Sequence, residues 1–136
     1  MRNRILIVDD ETEMLNSLEK ILSRKFNFDL HLVNDSIVAL KKVQSEKYDL
    51  ILTDLMMKNV SGLDILKAAI DVNKEATVII ISGYGTIDAS VEAMREGAFD
   101  FIEKPFTSKK LINCIDRALT QTKVDQKDKD QPLKRT

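Results

Sequence analysis

Asp9 and Asp10 stand side by side directly after the apolar run ILIV, Asp54 follows LILT, Ser82 follows VIII and Lys104 follows FIE. Three carboxylates, a hydroxyl and an ammonium thus each close an aliphatic run. Adjacent anions repel, and burying one unpaired ion costs several kcal/mol, so the acidic pair requires a helix cap, a cation or solvent. Asp10-Glu11-Thr12-Glu13 has the form of a capping box, which accounts for Asp10 but not for Asp9. A hard cation accounts for both. Mg2+ suits such a group because it takes a few carboxylate oxygens and keeps waters, whereas one His and one Cys in the chain offer no zinc cluster. A metal held by Asp9, Asp10 and Asp54 beside a hydroxyl and a lysine is the equipment of phosphoryl transfer. Asp54 is the candidate nucleophile, Lys104 and Ser82 the groups that meet the phosphoryl oxygens, and an acyl phosphate on Asp54 the product.

Taken singly, each residue has a plain structural use: Asp54 as a loop start, Ser82 as a local backbone partner, Lys104 as a solvated strand end. Their shared position is what separates them from background. Ligands of parallel α/β sheets bind outside the carboxyl ends of the strands, and these residues close four separate runs.

The elements that must carry them are readable from periodicity. Short apolar runs at Ile5–Val8, Leu30–Val33, Leu50–Thr53, Thr77–Ile81 and Phe99–Ile102 suit parallel strands covered on both faces. Between them lie helical spacings: Met14, Leu15, Leu18, Ile21 and Leu22; Ile37, Leu40 and Val43; Leu63, Leu66 and Ile70; Ile87, Val91 and Met94; Leu111, Ile112, Ile115 and Leu119. Five β/α units with right-handed crossovers give a three-layer, doubly wound α/β domain. Gly97 is placed to stop the fourth helix, and Ser61 or Gly62 to start the third. The fourth helix, Thr86–Glu96, is expected to bury Ile87, Val91 and Met94 and otherwise to rely on Ala89 and Ala93, a thinly packed element.

At 136 residues and 43% hydrophobic, the chain is expected to form one domain, residues 1–120, followed by a charged linker or frayed extension, 121–136. A formal charge of −1 supplies no field that would draw the domain to nucleic acid or anionic lipid. A single cysteine excludes an internal disulfide, and no long apolar segment opens the chain, so a reducing cytoplasm is the expected setting. Cys114 and the pair Phe26 and Phe28 read as packing residues, and His31, inside the second strand run, as structural rather than catalytic.

The stretches VDDE, DLMMKNVSGLD, IISGYGT and FDFIEKPF, spread between Arg4 and about Thr120, resemble the receiver domains of bacterial two-component response regulators. The resemblance implies a flavodoxin-like sheet in the order 2-1-3-4-5. It implies Asp9 and Asp10 as the acidic pair, Asp54 as phosphoacceptor, Met56 as the residue whose carbonyl completes the Mg2+ shell, Ser82 and Phe101 as switch residues, and Lys104 as the active lysine before a cis Pro105. It also implies a sensor histidine kinase as phosphoryl donor and the fourth helix, fifth strand and fifth helix as the face for homodimerisation or an output domain. Lys58 stands where the family often has proline, so the loop after Asp54 is expected to be looser. By the same resemblance, Met56 and Tyr84 are expected to flank the approach of hydrolytic water, which implies slow loss of the phosphoryl group.

A dehalogenase-like phosphatase would need a second Asp where Met56 stands, and a flavin site would need a phosphate loop where DDETE stands. An adaptor with a degenerate receiver fold, or a stand-alone phosphorelay receiver, is the alternative that remains. The segment GYGTIDASVEAMREGAFDFIEKPF is most similar to nitrogen-regulation-type activators, implying a transcription regulator whose ATPase and DNA-binding domains lie elsewhere.

Overall fold

The computed structural model describes residues 2–83 and 86–128, with side chains through residue 120. Strands β1 (Arg4–Val8), β2 (Asp29–Val33), β3 (Leu50–Asp54), β4 (Val78–Ser82) and β5 (Asp100–Glu103) alternate with helices α1 (Thr12–Lys25), α2 (Ser36–Ser45), α3 (Gly62–Val72), α4 (Ile87–Arg95) and α5 (Ser108–Asp128). All neighbouring strands are parallel, in the order β2-β1-β3-β4-β5. The sequence expectation of a doubly wound, flavodoxin-like α/β fold is met. Strand bounds lie within one or two residues of the apolar runs.

The side-chain alternation of the strands sorts the core into two layers. Leu6, Val8, Ile51, Val78 and Ile80 point to the side covered by α2, α3 and α4, where they meet Ala39, Val43, Ile65, Leu66, Ala69 and Ala93. Ile5, Ile7, Leu50, Leu52, Ile79, Ile81 and Ile102 point to the other side and meet Leu15, Leu18, Leu22, Leu111, Cys114, Ile115 and Ala118 of α1 and α5. Every residue of β3 and β4 is buried. At about 1.5–3 kcal/mol for each buried large aliphatic side chain, this double layer is what holds the strand ends in place.

Two expectations about buried faces need correction. Ile87, Val91 and Met94 are exposed, Ile87 by 82%, and only Ala93 of α4 is buried. The helix carries two candidate stripes, and the small Ala89 and Ala93 face inward because they let the backbone come close to the sheet. Ile37 of α2 is likewise exposed, while Ala39 and Val43 fill the core. Periodicity marks a face; it does not say which of two faces turns in.

Gly97 does end α4. At φ 107° it lets its own N–H reach the Met94 carbonyl and the Ala98 N–H reach the Ala93 carbonyl at 3.0 Å, the bond pair of a Schellman motif. α5 continues past residue 120 to Asp128, and residues 129–136 lie outside those described. Gly97→Ala is expected to lower the unfolding free energy by about 1–2 kcal/mol, because a Cβ at this φ is strained and would sit 3.3 Å from Ile70 Cδ1. An unchanged urea midpoint would contradict this reading of the cap.

Candidate functional site

Register brings the polar residues together. Val8 pairs with Thr53, Asp54 with Ile81, and Ser82 with Glu103, so the residues that end or follow these strands share one rim. The chain reverses its direction of winding between β1 and β3, the position where such sheets form their ligand crevice. Asp9, Asp10 and Asp54 each place a carboxylate oxygen within 4.8 Å of the others. Lys104 Nζ lies 3.2 Å from Asp9 Oδ2, 3.7 Å from Asp54 Oδ1 and 3.9 Å from Glu11 Oε1. Asp10, Glu11, Asp54 and Lys104, with Met56 and Gly83, line an open cleft of about 430 Å³, roomy enough for a hydrated ion and a phosphoryl group side by side.

Each member is held by its own local bonds. The buried Asp9 accepts the Glu11 N–H at 2.9 Å, and its other oxygen faces Lys104. Asp10 is exposed and accepts the Lys58 N–H at 3.4 Å. The capping box read at Asp10 does not form: α1 begins at Thr12, its N-cap is Glu11, and no side chain caps it. Asp10 turns toward the β3–α3 loop instead. Asp54, also buried, accepts the Leu55 N–H at 2.9 Å. Lys104 is directed by its N–H bond to the Ser82 carbonyl at 2.8 Å and precedes a cis bond to Pro105. Ser82 is fully buried at the rim, Met56 is 58% exposed at the cleft mouth, and Phe101 packs half-buried beside the α2–α4 layer. Tyr84 lies outside the described residues.

Burial and the neighbouring Asp9 raise the Asp54 carboxyl to about 6, against the smaller opposing pull of Lys104 and the Leu55 N–H. One ammonium does not balance three carboxylates. Three carboxylate oxygens gathered within 4.8 Å of one another, with no thiolate or imidazole among them, are a donor set that fits a hard cation such as Mg2+.

The residues given packing roles lie elsewhere. His31 pairs with Asp29 at 3.2 Å and meets the edge of Tyr48, on the outer strand β2. Cys114 is buried on α5, its thiol pushed up to about 12 first by burial and then by Asp100. Phe26 and Phe28 stack with ring centres 4.5 Å apart against the α1–α5 layer.

At the α3 start, where the sequence places Ser61 or Gly62, the structure adds two roles. Ser61 and Asp64 form a reciprocal capping box that fixes the start of α3, a pattern readable in SGLD. That start is pressed against the end of β3: a Cβ on Gly62 would lie 2.3 Å from the Asp54 carbonyl oxygen and 2.9 Å from Leu55 Cα.

This geometry and the sequence of the chain identify one family. The family's sequence model, "Response regulator receiver domain", matches residues 5–116, and the chain belongs to that family. It is 33% identical over 122 residues to the transcriptional regulatory protein ZraR of Klebsiella oxytoca, an alignment covering 90% of this chain and 27% of ZraR. A CheY-like receiver domain from Methanospirillum hungatei JF-1 superimposes with a TM-score of 0.86 at 27% identity, over 92% of this chain and 99% of that one. NtrX from Brucella abortus superimposes with a TM-score of 0.84 at 33% identity, over 100% of this chain and 31% of NtrX. The chain spans about a quarter of the length of the curated relatives it matches.

Two outcomes follow from the site. In the presence of a chelator, the raised Asp54 carboxyl destabilises the fold above pH 6, where the group is ionised in both states; the effect vanishes below its unfolded value, where it is protonated in both. Asp54→Asn should therefore add roughly 3 kcal/mol at pH 8 and almost nothing at pH 4, and an equal gain at both would contradict the assignment. Gly62→Ala should cost about 3 kcal/mol or more in urea unfolding, since the atoms it meets are backbone; a wild-type midpoint would show that α3 can move away freely.

Proposed function

We propose that this domain takes a phosphoryl group from the phosphohistidine of a sensor histidine kinase onto Asp54 in a Mg2+-dependent step. The observation that carries the reading is the meeting of Asp9, Asp10 and Asp54 around Lys104 at the sheet's winding reversal. Mg2+, when bound, would supply positive charge that offsets the charge of the transferring phosphoryl group. Asp9, Asp10, Asp54 and the Met56 carbonyl would hold it. The Asp54 carboxylate attacks phosphorus in line, forming a P–O bond as the P–N bond breaks and its electron pair leaves with the imidazole, which keeps or regains a proton. Lys104 neutralises a phosphoryl oxygen, and Ser82 turns its hydroxyl to another. The domain thus catalyses its own modification and turns over no separate substrate.

Recruitment of Ser82 draws the end of β4 inward and gives Phe101 room to move from its half-buried position. α4 is well suited to respond, because Ala93 is its only buried residue. Its exposed Ile87, Val91 and Met94, with β5 and α5, offer an apolar face for a second copy or an output domain. The likeness to ZraR and NtrX supports a transcriptional output carried by further domains, with residues 1–120 as receiver and 121–136 as connection. Among the described residues no helix is long and apolar enough to cross a membrane, and a cytoplasmic location goes with the proposed kinase partner.

Incubation with Mg2+ and a small acyl phosphate should add one phosphoryl group by intact mass, located on Asp54 and absent from Asp54→Asn and from chelator-treated protein. Modification at another residue, or labelling indifferent to Mg2+, would overturn the proposal.

A further inference from the structure

The turn between β3 and α3 contains no proline, with Lys58 at its centre, yet it is held from outside. Ser36, the first residue of α2, donates its hydroxyl to the Lys58 carbonyl and accepts the Val60 N–H at 3.2 Å. Val60 N–H also reaches the Lys58 carbonyl at 2.8 Å, closing a tight turn around Asn59, which takes a φ of 72°. Asn is among the few residues other than glycine that adopt this left-handed conformation readily. On the other side of the same peptide segment, Lys58 N–H points to Asp10 Oδ2.

Ser36 is not needed where it stands for helix capping. Asp35 performs that task, accepting the Ile37 and Val38 N–H groups at 2.9 and 3.2 Å. The Ser36 hydroxyl is therefore available to the loop, and at 4% exposure the residue is shielded from water that would otherwise compete for its bonds.

We propose that Ser36 is a positioning residue for the metal site. Its buried hydroxyl clamps the Lys58–Val60 turn, and through the Lys58 peptide it sets the Asp10 carboxylate and the Met56 carbonyl two residues upstream. A hydroxyl on a neighbouring helix thus does from outside what a proline ring in the loop would do from within. The idea rests on the phosphoacceptor reading above and goes beyond it, since Ser36 touches none of the reacting groups.

The test is calorimetric titration of the whole chain with Mg2+ alone, paired with acyl-phosphate labelling across Mg2+ concentrations. Ser36→Ala should weaken Mg2+ binding by about three- to tenfold, the size of one lost hydrogen bond, and raise the half-saturating Mg2+ for labelling by the same factor. The labelling rate at saturating Mg2+ should change by less than about twofold. Ser36→Cys, similar in volume but a poor hydrogen-bonding partner, should behave alike and stands in should the alanine variant not fold. Ser45→Ala removes a hydroxyl from the same helix that bonds only within it, to the Lys41 carbonyl at 2.9 Å, and should match wild type. Wild-type Mg2+ affinity in Ser36→Ala, whatever its stability, would reduce the residue to a structural contact and overturn the proposal. Failure of the wild-type chain to bind Mg2+ or to be labelled at Asp54 would instead sink the phosphoacceptor reading itself.

Discussion

The rest of the structure depends on charge crowding at one rim. Asp9, Asp10 and Asp54 gather within 4.8 Å of one another, Asp9 and Asp54 buried beside a single lysine, and burial together with the neighbouring Asp9 lifts the Asp54 carboxyl to about 6. A protein built only for stability would not keep this arrangement, because uncompensated buried charge works against folding. It becomes favourable when positive charge arrives. The same crowding is what suits this rim to the divalent ion and the phosphoryl group proposed above.

The fold tolerates that strain because the load-carrying contacts lie below the rim. β1, β3 and β4 are covered on both faces by aliphatic side chains, and their parallel register delivers each polar residue to the same level. Ala93 is the one buried residue of α4, and the β3–α3 loop adds the hydrogen bonds of Ser36 to the packing of Leu55, Met57 and Val60.

Much of this was legible in the sequence because strand-end chemistry is local. An aliphatic run that stops at a carboxylate, a serine or a lysine marks both the strand and the residue at its tip, and four such stops located the rim. What escaped was non-local or ambiguous. Asp10 fits a capping box by spacing, but the Lys58 N–H, 48 residues away, competes for its side chain. The inward face of α4 was misread because large apolar residues on one stripe outweigh two alanines on paper, while close approach to the sheet favours the alanines. Ser36 gave no signal at all, since its partners are backbone groups 22 and 24 residues away and peptide groups leave no trace in residue type. Gly62 was read as a turn residue, and only the coordinates show that its missing side chain admits the Asp54 backbone.

The central claim, that a crowded carboxylate waits for a divalent charge, is tested most directly by following the Asp54 side-chain carboxyl carbon by NMR across pH, once in chelator and once in excess Mg2+. The account predicts a titration midpoint near 6 in chelator and a midpoint moved well below it by Mg2+. A midpoint near the ordinary aspartate value of about 3.9 in chelator, unmoved by the metal, would contradict it.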